Sequence, residues 1–126
     1  MGNRVLVVDD HAPMVDLIED ALSRAGFVVS TASDGQQCLG KVIADKPDVV
    51  VLDVVMPGMD GYQVLRELRR RAETADVPVI LLTVCREHRD VVQGWMAGAS
   101  MYLKKPCSPE EVVAAVRQAL AAPARA

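Results

Sequence analysis

Five polar side chains stand where runs of apolar residues stop. Asp9 and Asp10 follow Val5 to Val8, Asp53 follows Val49 to Leu52, Thr83 follows Val79 to Leu82, and Lys105 follows Met101 to Leu103 and precedes Pro106. If the apolar runs are strands of one parallel sheet, their carboxyl ends share a crevice, and all five groups meet there. Three ionised acids in one pocket repel each other and raise one another's proton affinity. A hard, oxygen-seeking cation relieves that repulsion, and Mg²⁺ takes such a set of carboxylates together with waters and a phosphate oxygen. No sulfur or paired-histidine set suited to a softer metal accompanies them. An ammonium and a hydroxyl beside such an ion suit the oxygens of a phosphoryl group.

The elements that must position these groups alternate β and α five times. The three apolar runs are nearly continuous, as strands covered by helices on both faces are. Phe27-Val28-Val29 running into Ser30-Thr31, and Met101-Tyr102-Leu103 running into Lys104, are weaker and belong at the edges. The expected fold is therefore a flavodoxin-like α/β three-layer sandwich, with a five-stranded parallel sheet of order 2-1-3-4-5 and five helices.

The helices carry the expected punctuation. Pro13 suits a first turn, with Met14, Leu17, Ile18, Ala21, Leu22 and Ala25 as the inward stripe before Gly26. Asp34-Gly35 opens a second helix with Leu39, Val42 and Ile43 inside, stopped by Pro47. A third follows Gly61 and buries Val64, Leu65 and Leu68. A fourth carries Val91, Val92, Trp95 and Met96, with Gly94 weakening it. The fifth opens on Ser108-Pro109-Glu110-Glu111, a capping box, and turns Val112, Val113, Val116 and Leu120 inward. The domain is expected over residues 1–122, with 123–126 a frayed tail or the start of a linker.

Composition narrows the function. The 126 residues are 51% hydrophobic and only 3% aromatic, so the core is aliphatic and of single-domain size. A formal charge of −3 argues against nucleic-acid binding by this segment. No apolar run reaches membrane-spanning length and no signal-peptide pattern opens the chain, so a cytoplasmic protein with no membrane partner is expected. Cys38, Cys85 and Cys107 form no CxxC pair, which indicates neither a disulfide framework nor a zinc site.

Taken singly, each polar group has an ordinary role: an Asp at a strand end forms loops or caps helices, Thr83 is a β-branched strand residue, and Lys105 is a solvated charge. Their convergence is what calls for a site. At this point the chain resembles a response-regulator receiver domain of two-component signalling over almost its whole length. The motifs that carry the resemblance are Val7-Val8-Asp9-Asp10, the stretch from Leu52-Asp53 through Met56-Pro57-Gly58 to Asp60-Gly61, Leu82-Thr83, and Gly98-Ala99 through Tyr102 to Lys105-Pro106.

The resemblance implies that Asp53 is the phosphoacceptor and that Asp9, Asp10, Asp53 and the Val55 carbonyl hold Mg²⁺. It implies that Thr83 and Lys105 contact the phosphoryl oxygens, that Thr83 and Tyr102 form the switch, and that the bond before Pro106 is cis. The implied function is a phosphorylation-activated switch that accepts its phosphoryl group from a histidine kinase or phosphotransfer protein. The change is relayed through the face made by the fourth helix, the fifth strand and the fifth helix to an output domain or target protein. Such a protein is not a turnover enzyme; it catalyses only its own phosphorylation and dephosphorylation. The residue chemistry agrees, because phosphoryl transfer needs mainly positioning and electrostatic stabilisation.

The chain also departs from the family's pattern. Val84 follows the switch hydroxyl where a small residue is common, narrowing access to the phosphoryl group. Val55 and Cys85, two residues past Asp53 and Thr83, offer attacking water no charged partner, so slow self-dephosphorylation is expected. Cys107 replaces the usual phenylalanine; packing as a small hydrophobe is the simpler reading than redox control with Cys85. His11 reads as a partly exposed loop residue, and Arg66, Arg69, Arg70 and Arg71 as a solvated face complementing the helix dipole. Gly98-Ala99-Ser100-Met101-Tyr102 lacks the acids of receivers that dimerise through charge pairs. A phosphorylation-dependent homodimer would then rest on an apolar contact of Met101 and the fourth helix.

Two other readings compete. A degenerate receiver would act only as a protein-interaction module, although all the core groups are present here. An aspartyl-nucleophile phosphatase of haloacid-dehalogenase type needs a second Asp where this chain has Val55. A nucleotide-binding module is disfavoured, since neither GxxxxGK[ST] nor GxGxxG occurs.

Overall fold

The structure, a computed structural model, describes residues 3–84 and 98–121. Its elements in chain order are β1 (Arg4–Val8), α1 (Ala12–Arg24), β2 (Val28–Ala32), α2 (Gly35–Asp45), β3 (Val49–Asp53), α3 (Gly61–Arg70), β4 (Val79–Thr83), β5 (Met101–Lys104) and α4 (Pro109–Ala121). The strands form one sheet of order β2-β1-β3-β4-β5, and every pairing is parallel. This is the flavodoxin-like order expected from the gradation of apolar runs. The helix expected around Val91 to Met96 lies outside the described residues, as do Cys85 and the tail beyond Ala121.

The continuous apolar strands are the inner ones because both of their faces are covered. Residues Val5 to Val8, Val49 to Leu52 and Val79 to Leu82 are all buried. Their alternation divides the core in two. Val5, Val7, Val49, Val51, Ile80 and Leu82 pack with α1 and α4, while Leu6, Val8, Val50, Leu52, Val79 and Leu81 pack with α2 and α3. Burying each such side chain contributes about 1.5–3 kcal/mol, and the shapes that each layer must fill set the register. A one-residue slip would turn every one of them to the wrong layer.

Helix starts follow their sequence signals. Asp34 caps α2 by accepting from the Gln37 N–H at 2.8 Å. Asp60 and Gln63 form a capping box at α3, and Ser108 with Glu111 forms the one expected at α4, at 3.0 and 3.1 Å. Pro13 lies in the first turn of α1. Gly26, at a φ of 97°, takes the left-handed conformation that ends the helix region there.

Two inward assignments are corrected. Leu17 is 58% and Ile43 is 39% exposed. Each lies at the margin of its helix's apolar stripe, where the described elements leave it largely uncovered. Val15 and Cys38 occupy the buried positions instead. Met101, expected as surface for an apolar contact, packs against the core on the α1 and α4 side.

Candidate functional site

Register brings the strand ends together. Val8 is paired with Leu52, so Asp9 and Asp53, each one step further, stand side by side at the carboxyl end of β1 and β3. Asp53 is paired with Leu82 across β4, and Thr83 with Lys104 across β5. Lys105 therefore emerges beside Thr83, and its N–H donates to the Thr83 carbonyl at 2.7 Å. The Lys105–Pro106 peptide bond is cis, as the resemblance implied.

The side chains converge. The Lys105 Nζ lies 2.9 Å from Asp53 Oδ1 and 3.3 Å from Asp9 Oδ2. One carboxylate oxygen from each of Asp9, Asp10 and Asp53 lies within 4.8 Å of the others. Asp9 and Asp53 are buried, with 2% and 4% exposure, whereas Asp10 is exposed. Backbone contacts fix the frame. The Asp9 N–H donates to the Ala32 carbonyl at 3.2 Å, the Val54 N–H to Leu82 at 2.9 Å, and the His11 N–H to Asp9 Oδ1 at 3.0 Å. His11 itself is exposed, which bears out the loop reading.

Among the described residues, three acids face one ammonium, which leaves them short of positive charge. Burial raises the Asp53 pKa above the usual carboxylate range; the Lys105 hydrogen bond opposes this, and the charges on Asp9 and Asp10 add to it. For Lys105, burial works against the charged form. The hydrogen bond to Asp53 and the nearby charges of Asp53 and Asp9 outweigh it, and the amine's pKa is raised. The lysine stays charged while Asp53 is pushed towards accepting a proton or another positive partner. A donor set made only of carboxylates, partly desolvated and incompletely neutralised, has the chemistry to hold a hard divalent cation.

Thr83, at 1% exposure, ends β4. By strand alternation it faces the same layer as Leu81, and Tyr102, paired with Leu81, packs against that layer's core. Val55 and Val84, two residues past Asp53 and one past Thr83, are exposed, at 64% and 58%. Cys107 is half-buried against the α1 and α4 core, in keeping with its packing role, and its thiol pKa is raised first by burial. That shift is the reverse of what a reactive thiol needs.

Three residues make contacts at or near the site that the sequence reading missed. A Cβ on Gly61 would lie 2.6 Å from the Asp53 carbonyl oxygen, so α3 begins against the backbone of Asp53 itself. The Tyr62 hydroxyl lies 3.1 Å from that of Tyr102; the clue in sequence was a tyrosine at a buried position of an otherwise aliphatic stripe. Arg69, expected in a solvated face, instead donates to the Gly98 carbonyl at 2.9 Å and to Ala75 at 3.0 Å. Arg70 and Arg71 do remain outside, paired with Glu67.

Comparison with known proteins agrees with this geometry. Residues 5–117 match the family model of the response regulator receiver domain. The chain is 43% identical over 117 residues to the probable transcriptional regulator ycf27 of Guillardia theta, covering 93% of this chain and 45% of that protein. It is 42% identical over 120 residues to the alkaline phosphatase synthesis transcriptional regulatory protein PhoP of Bacillus subtilis, covering 95% and 49%. The chain thus spans about half the length of these curated relatives. The solved chemotaxis response regulator CheY4 of Vibrio cholerae superposes with a TM-score of 0.89 at 30% identity, covering 95% of this chain and 100% of that one. The chain belongs to the family of response regulator receiver domains, switches of two-component signalling that work by aspartate phosphorylation.

Proposed function

We propose that Asp53 is the phosphoacceptor of this receiver and that Asp9, Asp10, Asp53 and the Val55 carbonyl form its Mg²⁺ site. The observation that carries the reading is the contact of Lys105 Nζ with Asp53 Oδ1, at 2.9 Å, inside a cluster of three carboxylates. The donor is a phosphohistidine on a histidine kinase or phosphotransfer protein. An Asp53 carboxylate oxygen attacks phosphorus, the O–P bond forms as the P–N bond breaks, and the departing imidazole keeps the electron pair and takes up a proton. Lys105 stabilises charge on the transferred oxygens from one side, and the Thr83 hydroxyl donates to them from the other. Mg²⁺, when bound, supplies the remaining positive charge that the pocket lacks.

The loaded side chain then carries new acceptor oxygens. Thr83 turns to donate to them, and Tyr102 responds to the space that Thr83 leaves in the shared layer. That change passes to the face that includes β5 and α4, where an output domain or a separate target protein reads it. The reaction runs once per activation and is reversed by hydrolysis, so the domain, taken over residues 1–122, acts as a cytoplasmic switch rather than a turnover enzyme. Among the described residues no helix is long and apolar enough to cross a membrane. Pairing of two phosphorylated copies belongs to the same reading and would appear as a mass doubling on phosphorylation.

Acetyl phosphate with and without Mg²⁺, followed by intact-mass measurement, tests the chemistry. The expected result is a Mg²⁺-dependent phosphate adduct on the wild type and none on Asp53→Asn. An adduct of equal yield on the variant would overturn the assignment.

A further inference from the structure

We propose that Tyr62 is a positioning residue for the switch, its hydroxyl holding Tyr102 in the half-buried seat that the loaded state requires. This inference rests on the phosphorylation reading above and adds to it a second route from Asp53 to β5, through α3.

Contact by contact, the route is short. The Gly61 N–H donates to the Val54 carbonyl at 2.8 Å, and the missing Cβ at Gly61 lets the first turn of α3 lie on the Asp53 and Val54 backbone. The next residue is Tyr62, 6% exposed, with its ring in the α2 and α3 core. Its phenolic oxygen meets that of Tyr102 at 3.1 Å. Any shift of the β3 end at the phosphoacceptor therefore acts on the base of Tyr62 with no flexible chain between. At its far end α3 is tied to the same part of the chain, through Arg69 to the Gly98 carbonyl just before β5. The helix thus holds the β5 segment at two places and touches the acceptor at its start.

The chemistry of the pair makes it a bias rather than a fixed bolt. Two phenols joined by one neutral hydrogen bond gain little net stability, because each could bond to water instead. Such a contact shifts a two-state population by about fivefold and no more. Tyr102 shares a layer with Thr83, so its seat lies where space opens when Thr83 turns to a phosphoryl group. By favouring that seat before loading, Tyr62 lowers the cost of reaching the loaded arrangement.

The chain has two tyrosines, so tyrosine labelled with ¹³C at the phenolic carbon gives one signal from each. In Tyr62→Phe the remaining signal reports Tyr102 alone. The expected result is a shift of that signal to the position of a water-exposed phenol. A second expected result is beryllofluoride, the phosphoryl mimic, binding about fivefold more weakly in the presence of Mg²⁺. Tyr102→Phe should weaken it similarly, and the double variant no further than either single one, because the two hydroxyls act through each other. A purely structural Tyr62 would lower the unfolding temperature and leave beryllofluoride affinity unchanged. An unmoved Tyr102 signal, unchanged affinity or additive losses would overturn the inference while leaving the phosphorylation reading intact. Wild type that fails to bind beryllofluoride at all would bring down both.

Discussion

On the α1 and α4 side of the sheet, the fully buried side chains include Val5, Val7, Ile18, Leu22, Ile80 and Leu82, all aliphatic. On the α2 and α3 side, the same density of Val and Leu surrounds the ring and hydroxyl of Tyr62, with Tyr102 packed against it and Thr83 at the edge of the layer. Aliphatic groups have one satisfactory arrangement, which is close packing. Hydroxyls have several, because each can exchange one partner for another at small cost. The first face can therefore serve as a fixed wall, and the second can hold two arrangements of nearly equal free energy. The pocket of acids and lysine stands at the end of both; the first anchors it, and the hydroxyls of the second respond to it and pass the change on through β5.

Paired cavity substitutions put that contrast at risk most severely. Leu22→Ala and Leu65→Ala each remove a fully buried side chain and should each cost about 3 kcal/mol of stability by chemical denaturation. Only Leu65→Ala, one turn from Tyr62 on α3, should also change the environment of Tyr102 and the affinity for beryllofluoride. Equal effects of both variants on Tyr102 would mean that the faces are coupled and the contrast is false.

Lys105→Met is the next largest. It removes the one cation that, among the described residues, touches both Asp9 and Asp53. Phosphorylation by acetyl phosphate should slow about hundredfold, the scale of losing one preorganised charged contact to a transferring group. The Tyr102 signal in the unloaded protein should stay where it is, since the lysine belongs to the pocket and not to the hydroxyl layer. Movement of that signal would join the two regions into one unit.

How far these regions could be read without coordinates depends on distance along the chain. The inner strands announce themselves by unbroken apolar runs, and the site acids by standing at the ends of those runs. Lys105 and Thr83 followed from the same position rule together with the family resemblance. The bond from Tyr62 to Tyr102 joins residues 40 apart, and that from Arg69 to Gly98 joins residues 29 apart. No local pattern encodes such contacts, which arise only once α3 is laid against β5. Leu17 and Ile43 were misassigned for a related reason. Helical periodicity says which residues share a stripe, but the width of the buried stripe is set by the neighbouring element that covers it.

Val55→Asn moves the test to the exposed apolar residues Val55 and Val84, which follow Asp53 and Thr83 closely in the chain. Neither can orient a water molecule for attack on the aspartyl phosphate. An amide at position 55 should speed decay of the phosphorylated protein about tenfold, the worth of roughly one hydrogen bond to the attacking water. Following loss of the phosphate mass after removal of the donor measures this. Decay faster in wild type than in the variant would refute the idea that these apolar residues prolong the loaded state.

The smallest effect separates the pocket from the walls that hold it. Burial and the acids beside it raise the Asp53 pKa despite Lys105, so the ionised carboxylate is held at a cost in the unloaded fold. For an acid whose folded pKa lies above its unfolded one, the fold binds more protons across the interval between the two values. Stability from this group is therefore present at low pH and lost as pH rises through the folded pKa. Lys105, whose pKa is also raised, keeps its charge throughout that interval and does not reverse the sign. At neutral pH without Mg²⁺, Asp53→Asn should unfold a few degrees above wild type, and the gap should close on acidification as Asp53 takes up its proton. Adding Mg²⁺ should narrow the gap from the other side, by stabilising the wild type more than the variant. A variant less stable than wild type at neutral pH would mean that the Lys105 ion pair outweighs burial and repulsion. The pocket would then be a stabilising part of the fold, as the aliphatic face is, and not a strained site waiting for a cation.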